Sequence, residues 1–167
     1  MLQLKEQKVI MEISDMLAPE AVIAALKVQT KKQLLHEMAE RAAVLTGLPA
    51  RRILETLTER ERLGTTGMGQ GIAIPHGRLS GLSRITALFA RLDPAIAYEA
   101  IDNQPVDLVF LLLAPENAGA DHLKALARVS RLLRNQTVCE KLRAASSAEV
   151  LYALLTEPNA AGTSQAA

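Results

Sequence analysis

The sequence has 167 residues, and 49% of them are hydrophobic, which is enough apolar material for the core of a single domain. Its 19 Lys and Arg residues almost balance its 18 Asp and Glu residues, so the net charge of +1 offers no general attraction for a polyanion. Aromatic residues make up only 2% and tryptophan is absent, which removes the usual stacking surface for single-stranded nucleic acid. We therefore expect no nucleic-acid partner.

Cysteine content and hydropathy predict a cytoplasmic protein that is not embedded in a membrane. Cys139 is the only cysteine, so no intrachain disulfide can form and a reducing compartment is expected. The longest apolar run, residues 108–114, is far shorter than the roughly 20 residues that cross a bilayer. No charged and then apolar signal segment begins the chain.

Two helices are predicted near the beginning of the chain. Thr30, with a glutamine three residues later, fits a capping box, and apolar residues then recur at helical spacing. This pattern predicts a helix over residues 31–46 that Gly47 ends. A second helix is expected to begin near Pro49 and to end at Gly64.

Strand and helix signals follow in the second half of the chain. Three short apolar runs predict strands, at residues 71–74, 85–92 and 106–113. The last run is apolar on both faces, as in a central strand covered by helices. Asp121 is predicted to cap one later helix, and Ser146 with Glu149 forms the capping-box pattern of another. Together these elements predict one α/β domain with a mixed sheet.

A glycine-rich segment separates the two halves. Six of the nine glycines lie between Gly64 and Gly81, where they indicate backbone with unusual dihedral angles. Gly64 and Gly69 have the spacing of a P-loop, but Gln70 and Gly71 replace its Lys and its Ser or Thr. A dinucleotide-binding fingerprint is also excluded, because the glycines alternate and lead into a strand instead of a helix.

His76 stands at the end of the first predicted strand, between Pro75 and Gly77. The proline cannot donate to a strand ladder and the glycine lets the chain turn, so the imidazole is expected to face solvent or a cleft. A neutral imidazole has one nitrogen lone pair free for nucleophilic attack when its other nitrogen is hydrogen-bonded. Taken alone, the pattern also fits an ordinary loop histidine.

Residues 64–77 read Gly-Thr-Thr-Gly-Met-Gly-Gln-Gly-Ile-Ala-Ile-Pro-His-Gly and resemble the fructose/mannitol enzyme IIA family of the phosphotransferase system. Arg60-Glu61 before this segment, the strand that ends at Pro115, and His122-Leu add to the likeness, which extends over most of the chain. More narrowly, the sequence resembles the nitrogen-regulatory branch. The resemblance implies an α/β fold whose mixed five-stranded sheet is sandwiched between helices.

The resemblance also implies site residues. His76 matches the phosphorylated histidine, and Arg60 and His122 match residues that assist the transfer. The residues implied to line the phosphate pocket are Thr66, Gly67 and Gly77. Considered without the family, Arg60 could be a surface arginine paired with Glu61, and His122 could simply follow the Asp121 cap.

For partners, the resemblance implies an HPr-like phosphoryl donor and a regulatory role in place of metabolic catalysis. Targets such as transporters or sensor kinases are expected to respond to nitrogen, carbon or potassium status. The alternative is a sugar-specific enzyme IIA that passes phosphate to the enzyme IIB of a fructose/mannitol-type transporter. An apolar docking rim is expected from Met68, Ile72, Ile74 and Leu79.

We expect neither a cofactor nor a metal, because the candidate ligands His36, His76, His122 and Cys139 lack a recognised ligand spacing. The enzyme IIA domain is predicted to cover residues 13–157. Residues 1–12 are expected to be an N-terminal extension, and residues 158–167, which are small and polar, a disordered tail.

Overall fold

The structure is a computed structural model that describes residues 11–157. A 3-10 turn at Pro19–Ala21 accompanies the helices α1 (Ile13–Met16), α2 (Lys31–Thr46), α3 (Ala50–Leu63), α4 (Ala120–Leu133), α5 (Gln136–Ala144) and α6 (Ala148–Thr156). The strands are β1 (Val22–Leu26), β2 (Gly67–Gly69), β3 (Ile72–Ala73), β4 (His76–Leu79), β5 (Thr86–Ile96) and β6 (Val106–Pro115). The predicted tail and most of the predicted extension lie outside the described residues, so those boundaries stay predictions.

The strands form one mixed sheet in the order β1-β5-β6-β3-β2, with β4 also paired to β6. Strand β6 runs parallel to β3 and β4 and antiparallel to β5. Since β3 pairs with β6 at Leu108 and β4 pairs with it further along, at Leu112, the two short strands share one edge of β6. The predicted mixed α/β fold is confirmed. The sheet has six strands but only five places across its width, because Ile74 and Pro75 divide the strand beside β6 into β3 and β4.

Strand β6 is the centre of the core. Residues 108–114 have no exposed surface, although their side chains alternate between the two faces of the sheet, so both faces are covered. The prediction of a central strand is therefore confirmed. Helix α3 packs against β4, and α2 packs against α3 and β5. These contacts place the C-terminal end of α3 beside the beginning of β4.

The helix ends test the local sequence rules. The Thr30 hydroxyl accepts a hydrogen bond from the backbone of Gln33 at 3.0 Å, and Gly47 ends α2 with a φ of 78°, as predicted. The predicted Asp121 cap is wrong, because α4 begins at Ala120 and its N-cap residue is Gly119, two residues earlier. Ser147, not Ser146, caps α6, because its hydroxyl accepts from the Val150 N–H three residues ahead.

Strand β1 was not predicted from the sequence. Its five residues, Val22–Leu26, pair in parallel with β5, which is more than sixty residues away along the chain. Such a short run gives little periodicity, and its strand conformation depends on that distant partner.

Candidate functional site

His76 lies at the junction of β4 and α3. It is the first residue of β4 and is partly exposed. A Cβ atom on the next residue, Gly77, would lie only 2.5 Å from Cγ2 of Thr56, so the absence of a side chain allows α3 to pack closely on this strand. Arg60, one helical turn after Thr56, is thereby brought next to the imidazole.

Two hydrogen bonds define the state of the His76 ring. Nδ1 lies 2.8 Å from the carbonyl oxygen of Ile74, which can only accept, so Nδ1 carries the hydrogen. Nε–H of Arg60 donates to Nε2 at 3.2 Å, so Nε2 must carry a lone pair. The geometry therefore selects the neutral tautomer with hydrogen on Nδ1 and makes Nε2 the nucleophilic atom.

The surroundings of His76 favour the neutral ring. Burial lowers its pKa, and the positive charge of Arg60 lowers it further. The hydrogen bond to the Ile74 carbonyl and the negative charge of Glu61 act in the opposite direction, but the net pKa lies below the ordinary histidine value of 6.5. An imidazole in this site is therefore unprotonated, and able to attack, near neutral pH.

The lowered pKa predicts how phosphoryl acceptance should depend on pH. Because only the neutral ring can attack and its pKa lies below 6.5, the rate at pH 6.5 should remain above half of its maximum and should fall to half only at lower pH. An NMR titration of the His76 ring, together with initial transfer rates at the same pH values, would check this. A titration midpoint above the ordinary histidine value would contradict it.

His122 lies across the site from His76, in the first turn of α4. The two ring centroids are 5.8 Å apart, and His122 is 5% exposed. Its Nδ1 atom is buried and has no hydrogen-bond partner among the described residues. Burial lowers the pKa of His122, and positive charge on His76 or Arg78 lowers it further, so this ring too is neutral near pH 7.

The predicted pocket residues Thr66 and Gly67 already have hydrogen-bond partners within the protein. The Thr66 side chain is buried, its hydroxyl contacts Glu61 and Tyr98, and its backbone N–H donates to Glu61 at 3.2 Å. The Gly67 N–H donates to the Thr65 hydroxyl at 3.0 Å. Contacts between Thr66, Gly67 or Gly77 and a phosphoryl group stay predictions.

Sequence reasoning missed the role of Glu61. It does not pair with Arg60 but with Lys31, whose Nζ lies 2.9 Å away, and the Tyr98 hydroxyl donates to it at 3.2 Å. A usable signal was present, because Glu61 follows Leu57 by four residues and so continues the buried face of α3. Its partners could not be predicted, since they come from distant parts of the chain.

Within residues 11–157, no three His, Cys, Asp or Glu side chains are close enough together to hold a metal ion. No helix in this part of the chain combines the length and the apolar character that a membrane span requires.

Comparison with known proteins identifies the family. The profile of the "Phosphoenolpyruvate-dependent sugar phosphotransferase system, EIIA 2" family matches residues 15–157. The chain belongs to this family. It is 59% identical over 150 residues to a "Nitrogen regulatory protein" of Bradyrhizobium diazoefficiens, a match covering 90% of this chain and 98% of the relative.

Solved structures of EIIA proteins agree with this assignment. The nitrogen regulatory protein IIA-Ntr of Neisseria meningitidis superimposes with a TM-score of 0.83 at 37% identity, covering 86% of this chain and 99% of that one. The IIA mannitol protein of Escherichia coli shares the fold, with a TM-score of 0.69 at 21% identity and coverage of 83% and 97%. The predicted resemblance to the nitrogen-regulatory branch of the EIIA family is confirmed.

Proposed function

We propose that this protein is a regulatory phosphocarrier that accepts a phosphoryl group on Nε2 of His76 from an HPr-like protein. The observation that carries the proposal is the pair of hydrogen bonds on the His76 ring. The hydrogen bond from Nδ1 to the Ile74 carbonyl leaves the lone pair on Nε2. The hydrogen bond from Arg60 places its guanidinium beside that lone pair, where a phosphoryl group would arrive.

The transfer step follows from this arrangement. Nε2 of His76 attacks the phosphorus of the donor's phosphohistidine, so the new N–P bond forms as the donor's N–P bond breaks and its electron pair returns to the donor ring. The hydrogen stays on Nδ1 throughout, where it is donated to the Ile74 carbonyl oxygen. Arg60 offsets the negative charge of the phosphoryl oxygens, and neutral His122 is close enough to offer a ring nitrogen.

Phosphorylation is proposed to act as a binding switch. The names of the relatives support a role in nitrogen regulation. We propose that the protein acts in the cytoplasm and that its targets are proteins such as transporters or sensor kinases. A phosphoryl group adds about −1.5 to −2 charges at pH 7. A partner that buries it without a counter-charge would lose affinity, and a loss of about 1.4 kcal/mol already means tenfold weaker binding.

The expected apolar rim needs a correction. Ile72, Ile74 and Leu79 are buried in the core, where the sheet pairs and packs, and only Met68 is exposed, at 39%. Exposed leucines near the site come from other elements. They are Leu63, 84% exposed, at the end of the helix that carries Arg60, and Leu123, 63% exposed, directly after His122. We propose these two leucines as the docking contacts.

Recovery of partners from a native cytoplasmic extract tests the switch. The unphosphorylated protein and His76→Ala should recover the same regulated partner, and the phosphorylated protein should recover about tenfold less of it. Leu63→Ser should weaken recovery, whereas the control Val44→Ser, on α2 and equally exposed at 84%, should not. Equal recovery by phosphorylated and unphosphorylated protein, with efficient transfer to a fructose/mannitol-type enzyme IIB, would favour the sugar-relay alternative.

A further inference from the structure

Glu61 is an acidic side chain placed inside the protein, next to the site but not in contact with the reacting ring. Its side chain is only 7% exposed. The Nζ of Lys31 lies 2.9 Å from one carboxylate oxygen, and the Tyr98 hydroxyl donates to the other at 3.2 Å. Thr66 adds two donors, its backbone N–H at 3.2 Å and its hydroxyl. Four donors from three separate segments therefore converge on one carboxylate.

Thr66 connects this carboxylate to His76. The Thr66 carbonyl oxygen accepts a hydrogen bond from the Ile74 N–H at 3.0 Å. The Ile74 carbonyl oxygen accepts in turn from Nδ1 of His76 at 2.8 Å. A continuous series of hydrogen bonds thus runs from Lys31 through Glu61, Thr66 and Ile74 to the nitrogen of His76 that must keep its hydrogen.

We propose that Glu61, paired with Lys31, is a positioning residue that holds Thr66 and Ile74 in place and thereby fixes the reactive tautomer of His76. The effect of this positioning on phosphoryl transfer rests on the proposed function. The effect on the ring itself does not, because the tautomer is a property of the unphosphorylated protein.

The charge of Glu61 is needed for this role. Burial raises its pKa, but the hydrogen bonds from Thr66 and Lys31 and the charge of Lys31 outweigh burial, so the net pKa lies below the ordinary value and the group is ionised near pH 7. An ionised carboxylate is an acceptor only, so it can receive all four donors at once. Lys31 is itself held in place, since its Nζ also lies 4.5 Å above the Tyr98 ring.

Glu61→Gln separates positioning from a merely structural contribution. The amide has a similar size but no charge, and it brings two N–H donors of its own to a site already filled with donors. The link to Ile74 should loosen, which weakens one of the two hydrogen bonds that select the tautomer, so the form of His76 with hydrogen on Nε2 should gain population even though Arg60 still opposes it. The readout is the pair of imidazole ¹⁵N chemical shifts of His76, which distinguish the two tautomers.

The expected result is a mainly Nδ1–H ring in the unmodified protein and a mixture in Glu61→Gln, with transfer from an HPr-like donor slowed about tenfold. Glu59→Gln is the matched control. It lies on the same helix two residues earlier, its side chain is 72% exposed, and it pairs with Arg62, which is also exposed. This variant should change neither the ¹⁵N shifts nor the rate.

Glu61→Gln leaves the charge of Lys31 without its partner and could for that reason fail to fold, so a second variant is needed. Lys31→Met/Glu61→Gln removes both charges and should show the same tautomer mixture. An unchanged Nδ1–H ring in a folded variant would overturn the inference. Failure of the unmodified protein to accept phosphate would overturn the proposed function instead, and the ¹⁵N shifts would still decide the role of Glu61.

Discussion

Replacing His76 with alanine should abolish incorporation of a phosphoryl group from an HPr-like donor. The variant lacks the Nε2 lone pair to which Arg60 donates a hydrogen bond, and no other nucleophile among the described residues takes the position of that nitrogen. His122 is near, but its ring is buried at 5% exposure, so a bulky donor cannot reach it as it reaches the partly exposed His76. The measurement is transfer of labelled phosphate from phosphoenolpyruvate through enzyme I and the HPr-like carrier.

His36→Ala is the control for this experiment. His36 lies on α2, near Glu40, and more than half of its side chain is exposed, at 61%. This variant should accept phosphate at the normal rate, and the label on it and on the unmodified protein should be lost in acid, as expected of a phosphoramidate. Stable incorporation into His76→Ala would mean that another residue is the acceptor.

Arg60→Ala should slow phosphoryl transfer about a hundredfold, since removal of one donor to a developing charge typically costs about 3 kcal/mol. The Arg60 Nε–H is aimed at Nε2 of His76, while another guanidinium nitrogen donates to the Gly64 carbonyl oxygen at 2.8 Å and so fixes the side chain. His122→Ala should also slow the reaction. Stopped-flow or rapid-quench transfer rates with a fixed donor concentration would measure both effects.

Arg62→Ala is the matched control for Arg60→Ala. Arg62 lies on the same helix, but its side chain is 69% exposed and pairs with the exposed Glu59 at 3.1 Å. It should leave the transfer rate unchanged, because exposed pairs of this kind contribute little. Thermal unfolding would show that all three variants remain folded. A normal rate in both Arg60→Ala and His122→Ala would remove these residues from the mechanism.

Local sequence signals were sufficient for the elements that local chemistry specifies. The bounds of α2 follow from the Thr30 hydroxyl and from the left-handed backbone of Gly47, both of which are short-range effects. The central position of β6 follows from an apolar run that only burial on both faces can accommodate. The Pro-His-Gly element was predicted to end a strand and to turn the chain, whereas His76 begins β4 and Gly77 continues that strand.

The chemistry of the site depends on contacts that no local signal contains. His76 was predicted from the motif, but its tautomer depends on the hydrogen bond from Arg60, 16 residues earlier in the chain, together with the one that Nδ1 donates to the Ile74 carbonyl oxygen. Glu61 is separated from Lys31 by 30 residues and from Tyr98 by 37, so its role depends on the packing of α2, α3 and the segment that follows β5. The same packing buried most of the expected docking rim and exposed other leucines instead.

The sequence thus predicted the reacting residue through its resemblance to the family, and the surrounding elements through capping, periodicity and proline or glycine geometry, which act within a few residues. The tertiary structure determined the protonation state, the tautomer and the solvent exposure of that residue. These properties depend on burial and on the direction of hydrogen bonds between segments far apart in the chain, and both are set when the sheet and helices close around His76.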